Sequence, residues 1–213
     1  MDVRHLGTIE YREALALQID LRSRVQGGEL DGALLLLEHP AVYTLGRRSA
    51  PGELPMGEDW YRAQGIDIVR TDRGGKLTYH GPGQLVGYPI VRVTRIPDHI
   101  GAMERAIVQA LAAEHVEARG RDAEGAQWTG VWVGERKIAS IGVHVSRGVA
   151  MHGFAINVDN DLQPFEWAVA CGLPDTQMTS VCRETGRTGT LPALRDRVAA
   201  ALLAELRGVP SRT

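Results

Sequence analysis

Cysteine occurs only twice in the 213-residue chain, as Cys171 and Cys182. Two thiols cannot build the bridged framework of a small secreted domain, so a reducing compartment, the cytoplasm, is the expected setting. No apolar run approaches the roughly 18 residues that signal a membrane span. The opening Met1-Asp2-Val3-Arg4-His5-Leu6-Gly7 also lacks the apolar core of a secretory leader, and no membrane partner is expected. A basic excess is missing too: 24 Lys and Arg stand against 26 Asp and Glu, a formal net charge of -2, which offers nothing to a nucleic acid. The seven histidines include no His-Glu-x-x-His, and the cysteines lie too far apart for a Cys-x-x-Cys half-site, so no metal is expected. Gly74-Gly75-Lys76 is not a phosphate loop, because Arg70 replaces its first glycine and Leu77 its Ser or Thr. Gly81, Gly83 and Gly87 miss the dinucleotide spacing by one residue and enclose Pro82.

What is present reads as one globular domain over residues 1–213, with 44% hydrophobic and 23% charged residues. Residues 9–26 have helical periodicity, with Tyr11, Ala14, Leu15, Leu21 and Val25 on one face and Gly27-Gly28 as the stop. Ala33 to Leu37 is a continuous apolar run, the pattern of a strand buried on both faces. Short strands are expected at 42–45, 66–70 and 85–93, with Pro89 marking an edge or a bulge in the last. The stretch 49–57 should be irregular. A helix capped by Asp98 should run to about Val116, with Ile100, Met103, Ile107 and Leu111 on one face. Residues 131–158 read as a three-stranded antiparallel meander. A last helix opens at Thr190, carries Leu194, Val198, Leu202 and Leu206, and is stopped by Gly208 and Pro210. Helices interspersed with hairpins predict an α+β fold with a mixed sheet rather than a doubly wound one.

The segment from Thr71 to Pro89 holds five glycines, more than a hairpin needs. Arg73, Lys76 and the backbone N–H groups can bind an anion or a carbonyl, and His80 belongs to the residue type that titrates near neutrality. This is the expected wall of a binding site. Two residues elsewhere could carry chemistry. Cys171 lies before a Gly-x-Pro turn; as a nucleophile it needs a nearby cation, since a thiol with a pKa of about 8.5 is mostly protonated at pH 7. A buried cysteine acting as a small hydrophobe fits the same residues, and Cys182 reads that way. Lys137 opens a strand, where alternation puts it with Ala139 and Ile141 on one face and Ile138 and Ser140 on the other. Among apolar neighbours a lysine exchanges protons near neutral pH, whereas a strand-end lysine that snorkels to water does not.

Six blocks in order carry a resemblance: 36–47 (LLEHPAVYTLGR), 73–89 (RGGKLTYHGPGQLVGYP), 129–133 (TGVWV), 137–142 (KIASIG), 152–157 (HGFAIN) and Cys171-Gly172. Together they resemble the lipoyl(octanoyl) transferase family, over nearly the whole chain. The resemblance implies the fold of biotin and lipoate protein ligases, a mixed β-sheet flanked by helices. It implies transfer of an octanoyl group from acyl carrier protein, where the acyl thioester sits on phosphopantetheine. The implied acceptors are lysines in lipoyl domains of 2-oxoacid dehydrogenase complexes and in the glycine cleavage H protein. Cys171 matches the family's acyl-thioester nucleophile and Lys137 the lysine that activates it. Arg73, Gly74, Gly75, Lys76, Leu77, Thr78, Tyr79 and His80 match substrate-pocket positions, as do Ser140, Ile141, Gly142, His152, Gly153 and Phe154. Neither ATP nor a metal is implied.

Two departures from the family pattern stand out. Val169-Ala170 replaces Asn-Pro before the cysteine, and Met151-His-Gly-Phe154 replaces Phe-His-Gly-Leu, a change expected to alter pocket shape. The rival is an ATP-dependent lipoate or biotin ligase of the same fold. A lysine like Lys137 serves both classes, whereas adenylate chemistry needs no nucleophilic thiol.

Overall fold

The computed structural model describes residues 1–168 and 176–207. Among the described residues, ten strands form two sheets. The larger has the order β1 (Asp2–Thr8), β2 (Gly32–Glu38), β6 (Gln84–Val91), β10 (Val149–Asn157), β9 (Arg136–Ser146), β8 (Gly130–Val133), β7 (Arg119–Gly120). The smaller has β4 (Asp67–Arg70), β3 (Val42–Leu45), β5 (Thr78–His80). Parallel pairs β1–β2 and β3–β4 sit among antiparallel ones, so the sheets are mixed as the element order predicts.

The apolar run of β2 is buried because helices cover both faces. Helix α1 (Tyr11–Gln26) lays Ala14, Leu21 and Val25 against Leu35, Leu37, Val86 and Ile90. Helices α3 (Ile96–Ala112) and α6 (Leu191–Arg207) cover the opposite face, where Met103, Ile107, Leu194 and Val198 meet Leu34, Leu36 and Leu85. Alternation along β2 and β6 sorts the two sets. A third cluster joins the small sheet to α2 (Glu58–Ala63) and α4 (Gln163–Glu166) through Tyr43, Tyr61, Tyr79 and Phe165. The short α5 (Val181–Thr185) is capped by Ser180, whose hydroxyl oxygen accepts the N–H of Arg183 at 3.1 Å. Among the described residues no helix is long and apolar enough to cross a membrane.

Two expectations need correction. Asp98 does not cap α3: the helix begins at Ile96 with Arg95 as its N-cap, and Pro97 fits within the first turn, where no N–H partner is needed. The strand containing Pro89 is interior, between β2 and β10. Its β10 pairing ends at Gly87–Phe154, so the missing N–H of Pro89 falls where the ladder has opened. Continuing that register puts His152 opposite Pro89, and there His152 takes φ +61°. Gly208 and Pro210, the expected stops of the last helix, lie outside the described residues.

Candidate active site

A cavity of about 270 Å³ is walled by the glycine segment on one side and by β9 and β10 on the other. The glycine segment is held there at both flanks. Gly74 donates its N–H to Val143 O on β9 at 2.9 Å, and Arg47 and Arg48 donate theirs to Arg73 O and Gly75 O at 3.0 and 3.1 Å. The Arg73 guanidinium turns inward, donating to Thr44 O at 2.6 Å and to Gly74 O at 3.0 Å. Gly75 has φ +88°, which admits glycine far more readily than other residues. Small residues on the facing strands, Ser140, Gly142, Gly153 and Ala155, leave the space open.

Lys137 is on the cavity wall and only 4% exposed. Its backbone is fixed on both sides: its N–H donates to Gln177 O, and its carbonyl accepts the N–H of Thr179, both at 2.9 Å. Its ammonium lies 5.3 Å from the centroid of the Trp132 ring, a cation–π contact. Gly130 makes the room. A Cβ there would stand 2.7 Å from Lys137 Cε, and the Gly130 N–H is anchored on Glu104 Oε1 at 2.7 Å. The buried-lysine reading therefore holds, but the alternation behind it does not. A register shift in the β8–β9 ladder pairs Val131 with Ala139 and Trp132 with Lys137, skipping Ile138. Ile138 and Ala139 both join the α3/α6 core, while Lys137 shares the cavity with Ser140.

The family model for the lipoyl protein ligase A/B catalytic domain matches residues 10–203. The chain belongs to that family. An octanoyltransferase of Mycobacterium tuberculosis is 45% identical over 216 residues, covering 98% of this chain and 88% of that protein. One of Mycobacterium marinum is 44% identical over 224 residues, covering 98% and 89%. Among solved structures, lipoate-protein ligase A bound with ATP superposes with a TM-score of 0.76 at 17% identity, covering 97% of this chain and 86% of that one. Biotin protein ligase from Aquifex aeolicus gives 0.54 at 11% identity, over 97% and 69%. These two likenesses are of fold, and they match the α+β architecture expected from the sequence.

In this lipoyl ligase A/B family member, Arg73, Gly75, Lys76, Leu77, Thr78 and His80 line the cavity, as do Ser140, Ile141, Gly142, His152, Gly153 and Phe154. Two predicted residues do not. Gly74 is occupied with β9, and Tyr79 faces away because β5 alternates: Thr78 and His80 reach the cavity while the Tyr79 ring meets Tyr43 and Phe165, each at 5.5 Å. Phe154 lines the cavity from its strand, yet its ring lies over Gly87 and packs in the α3/α6 core. Phe154 thus belongs both to the cavity lining and to the core. Cys171 lies outside the described residues.

His80 corrects the expectation of a group titrating near neutrality. Burial, with His39 and Arg73 close by, pushes it down to about 3, so it is neutral. Its Nδ1 donates to Gln84 Oε1 at 2.7 Å, and Gln84 passes the link to Asn157 Oδ1 at 2.9 Å. Asp72 is a residue that sequence reasoning missed. It accepts from His152 Nε2 at 2.7 Å and from His144 Nδ1 at 2.5 Å. These bonds hold its carboxyl well below the usual range, while burial of His152 outweighs Asp72 and lowers the imidazole. Tyr11 and Tyr88, also on the wall, come from α1 and β6; the sequence pattern showed Tyr11 only as part of a helix's apolar face and did not single out Tyr88.

Proposed function

We propose that the chain is an octanoyltransferase that moves an octanoyl or lipoyl group from acyl carrier protein to a lysine of a lipoyl domain. The carrying observation is its identity to named octanoyltransferases over 98% of its length. The burial of Lys137 in the cavity wall supports the chemistry.

In the first step the Cys171 thiolate attacks the thioester carbonyl; a new C–S bond forms as the carrier's thiolate leaves and takes a proton from the Lys137 ammonium, which becomes the neutral amine. Charged Lys137 favours the thiolate. Backbone N–H groups can stabilise the oxyanion, each worth about 3 kcal/mol. The exchange of one thioester for another is nearly balanced, so the step consumes no nucleotide. In the second step the acceptor lysine, as the free amine, attacks the acyl-enzyme; an amide forms and the Cys171 thiolate departs. Neutral Lys137 takes the acceptor's proton. Acceptors would be the lipoyl domains of 2-oxoacid dehydrogenases and the glycine cleavage H protein, in the cytoplasm.

Incubation with octanoyl-carrier protein, without ATP or added metal, should add one octanoyl group to the intact mass. Cys171→Ser should add none. An unchanged adduct on that variant would remove Cys171 as nucleophile, and strict dependence of transfer on ATP would favour ligase chemistry instead.

A further inference from the structure

The mouth of the cavity carries charge that this chemistry leaves unused. Arg47 and Arg48 form the exposed turn after β3, and the bond from Arg48 N–H to Gly75 O brings Lys76 beside them. Arg48 and Lys76 both line the cavity. Elsewhere cations are mostly engaged, as in Arg136 with Glu184 or Arg105 with Glu205. Among the described residues, the cationic side chains with neither an ion pair nor a hydrogen bond are Arg47, Arg48, Lys76, Arg147 and Arg183. Three of the five are at this mouth. The neighbouring carboxylates form no ion pair with these three: Glu53 is buried, its Oε2 accepting the Leu77 N–H at 3.1 Å, and Asp72 serves His144 and His152. Like charges gathered without counter-charge repel one another, and an anion among them would relieve that cost.

We propose that Arg47, Arg48 and Lys76 form a phosphate-binding rim that grips the phosphodiester of the arm delivering the acyl thioester. The proposal rests on the acyl-transfer reading above. The interior suits the acyl group, with small and aromatic walls, and Lys137 marks where the thioester must lie. The shaft of the arm then passes the mouth, where its one charged group meets two arginines and a lysine. Arginine can hold two phosphate oxygens at once, and lysine adds a point charge. The position of the cations favours the arm over an acidic protein face, since two of the three line the cavity itself.

The test compares three octanoyl thioesters as donors: pantetheine, 4′-phosphopantetheine and carrier protein. The wild type should prefer the phosphorylated arm to the phosphate-free one in kcat/KM. Arg48→Gln and Lys76→Gln should each reduce that preference by about tenfold, the double variant by more. Calorimetry with octanoyl-4′-phosphopantetheine should show the same order of weakening, and this readout stands even if no transfer occurs. Absence of transfer from every donor would sink the octanoyltransferase reading while leaving the binding result to decide the rim. A preference unchanged in both variants overturns the rim. So does a loss confined to the carrier-bound donor, which would assign the cations to the carrier's acidic surface.

Discussion

Gly130 leaves Lys137 the space it occupies. Its φ of +131° is one that side chains rarely adopt, and an added Cβ would meet Ala139 O at 2.4 Å as well as the lysine. Gly130→Ala should therefore shift the amine, lowering single-turnover transfer at least about tenfold and stability by about 1–3 kcal/mol. Lys137→Arg keeps the charge but not the base, because arginine does not deprotonate. Acylation of the enzyme should survive in part, while transfer to the lipoyl domain falls much further. Equal losses in the two half-reactions would deny Lys137 its second role. At this scale the sequence is only partly legible. The strand pattern left a buried and a snorkelling Lys137 both open, and the skipped residue in its ladder was not legible, because a bulge leaves no pattern in a single strand. Asp72 escaped notice since its partners are 72 and 80 positions away in sequence. The inward turn of Arg73 depends on Thr44, which no local spacing reveals.

The first part of the glycine segment, residues 71–77, has no regular structure and is held by its neighbours before the chain enters β5. Its expected place at the wall was legible because five glycines exceed what a turn demands; which of its residues face inward was decided by the short β5, whose alternation sends Tyr79 away. Phe154 shows the reverse case. Its ring covers Gly87, where a Cβ would lie 2.1 Å from a ring carbon. Phe154→Leu should act chiefly on the fold, costing about 1–3 kcal/mol through the gap left in the α3/α6 core. Urea midpoints would report it. A large shift in acyl-length preference at unchanged stability would instead place the ring in the cavity. Strand β1 was missed for a plain reason. It is an edge strand, mostly exposed or half-buried, and Val3 and Leu6 alone do not make an apolar alternation.

Across the molecule, burial sets the response to acid. His39, His80 and His99 are lowered to about 4, 3 and 4 by burial, so the native state keeps them neutral where the unfolded chain takes protons. Stability from this source is intact above the ordinary histidine value of 6.5 and falls as pH drops from there toward 4. Glu104 has the opposite sign. Burial raises it to about 7, so the native state holds a proton that the unfolded chain releases between that value and the ordinary 4.5. His152 is lowered in the same way, so at least three histidines stand against one carboxyl and unfolding takes up about two protons or more. Stability should therefore fall by about 2.5 kcal/mol per pH unit or more near pH 5.5. Denaturant midpoints between pH 7 and 5 would test this, and a flat profile would mean that the histidines are not buried as described. The mixed sheet was legible from the order of helices and hairpins. The division into two sheets was not, because β3, β4 and β5 are too short to declare which neighbours they pair with.

The two bonds between Lys137 and residues 177 and 179 turn chain length into a ruler. They tie Gln177 and Thr179 to the lysine's own backbone, so on the acyl-transfer reading the number of residues between position 171 and that anchor bears on catalysis independently of their identity. Substitutions before the cysteine, such as Val169-Ala170 in place of Asn-Pro, leave that count unchanged. One residue inserted between 171 and 177 alters it while leaving both anchoring bonds available. Spacing, more than composition, is what this connection has to preserve.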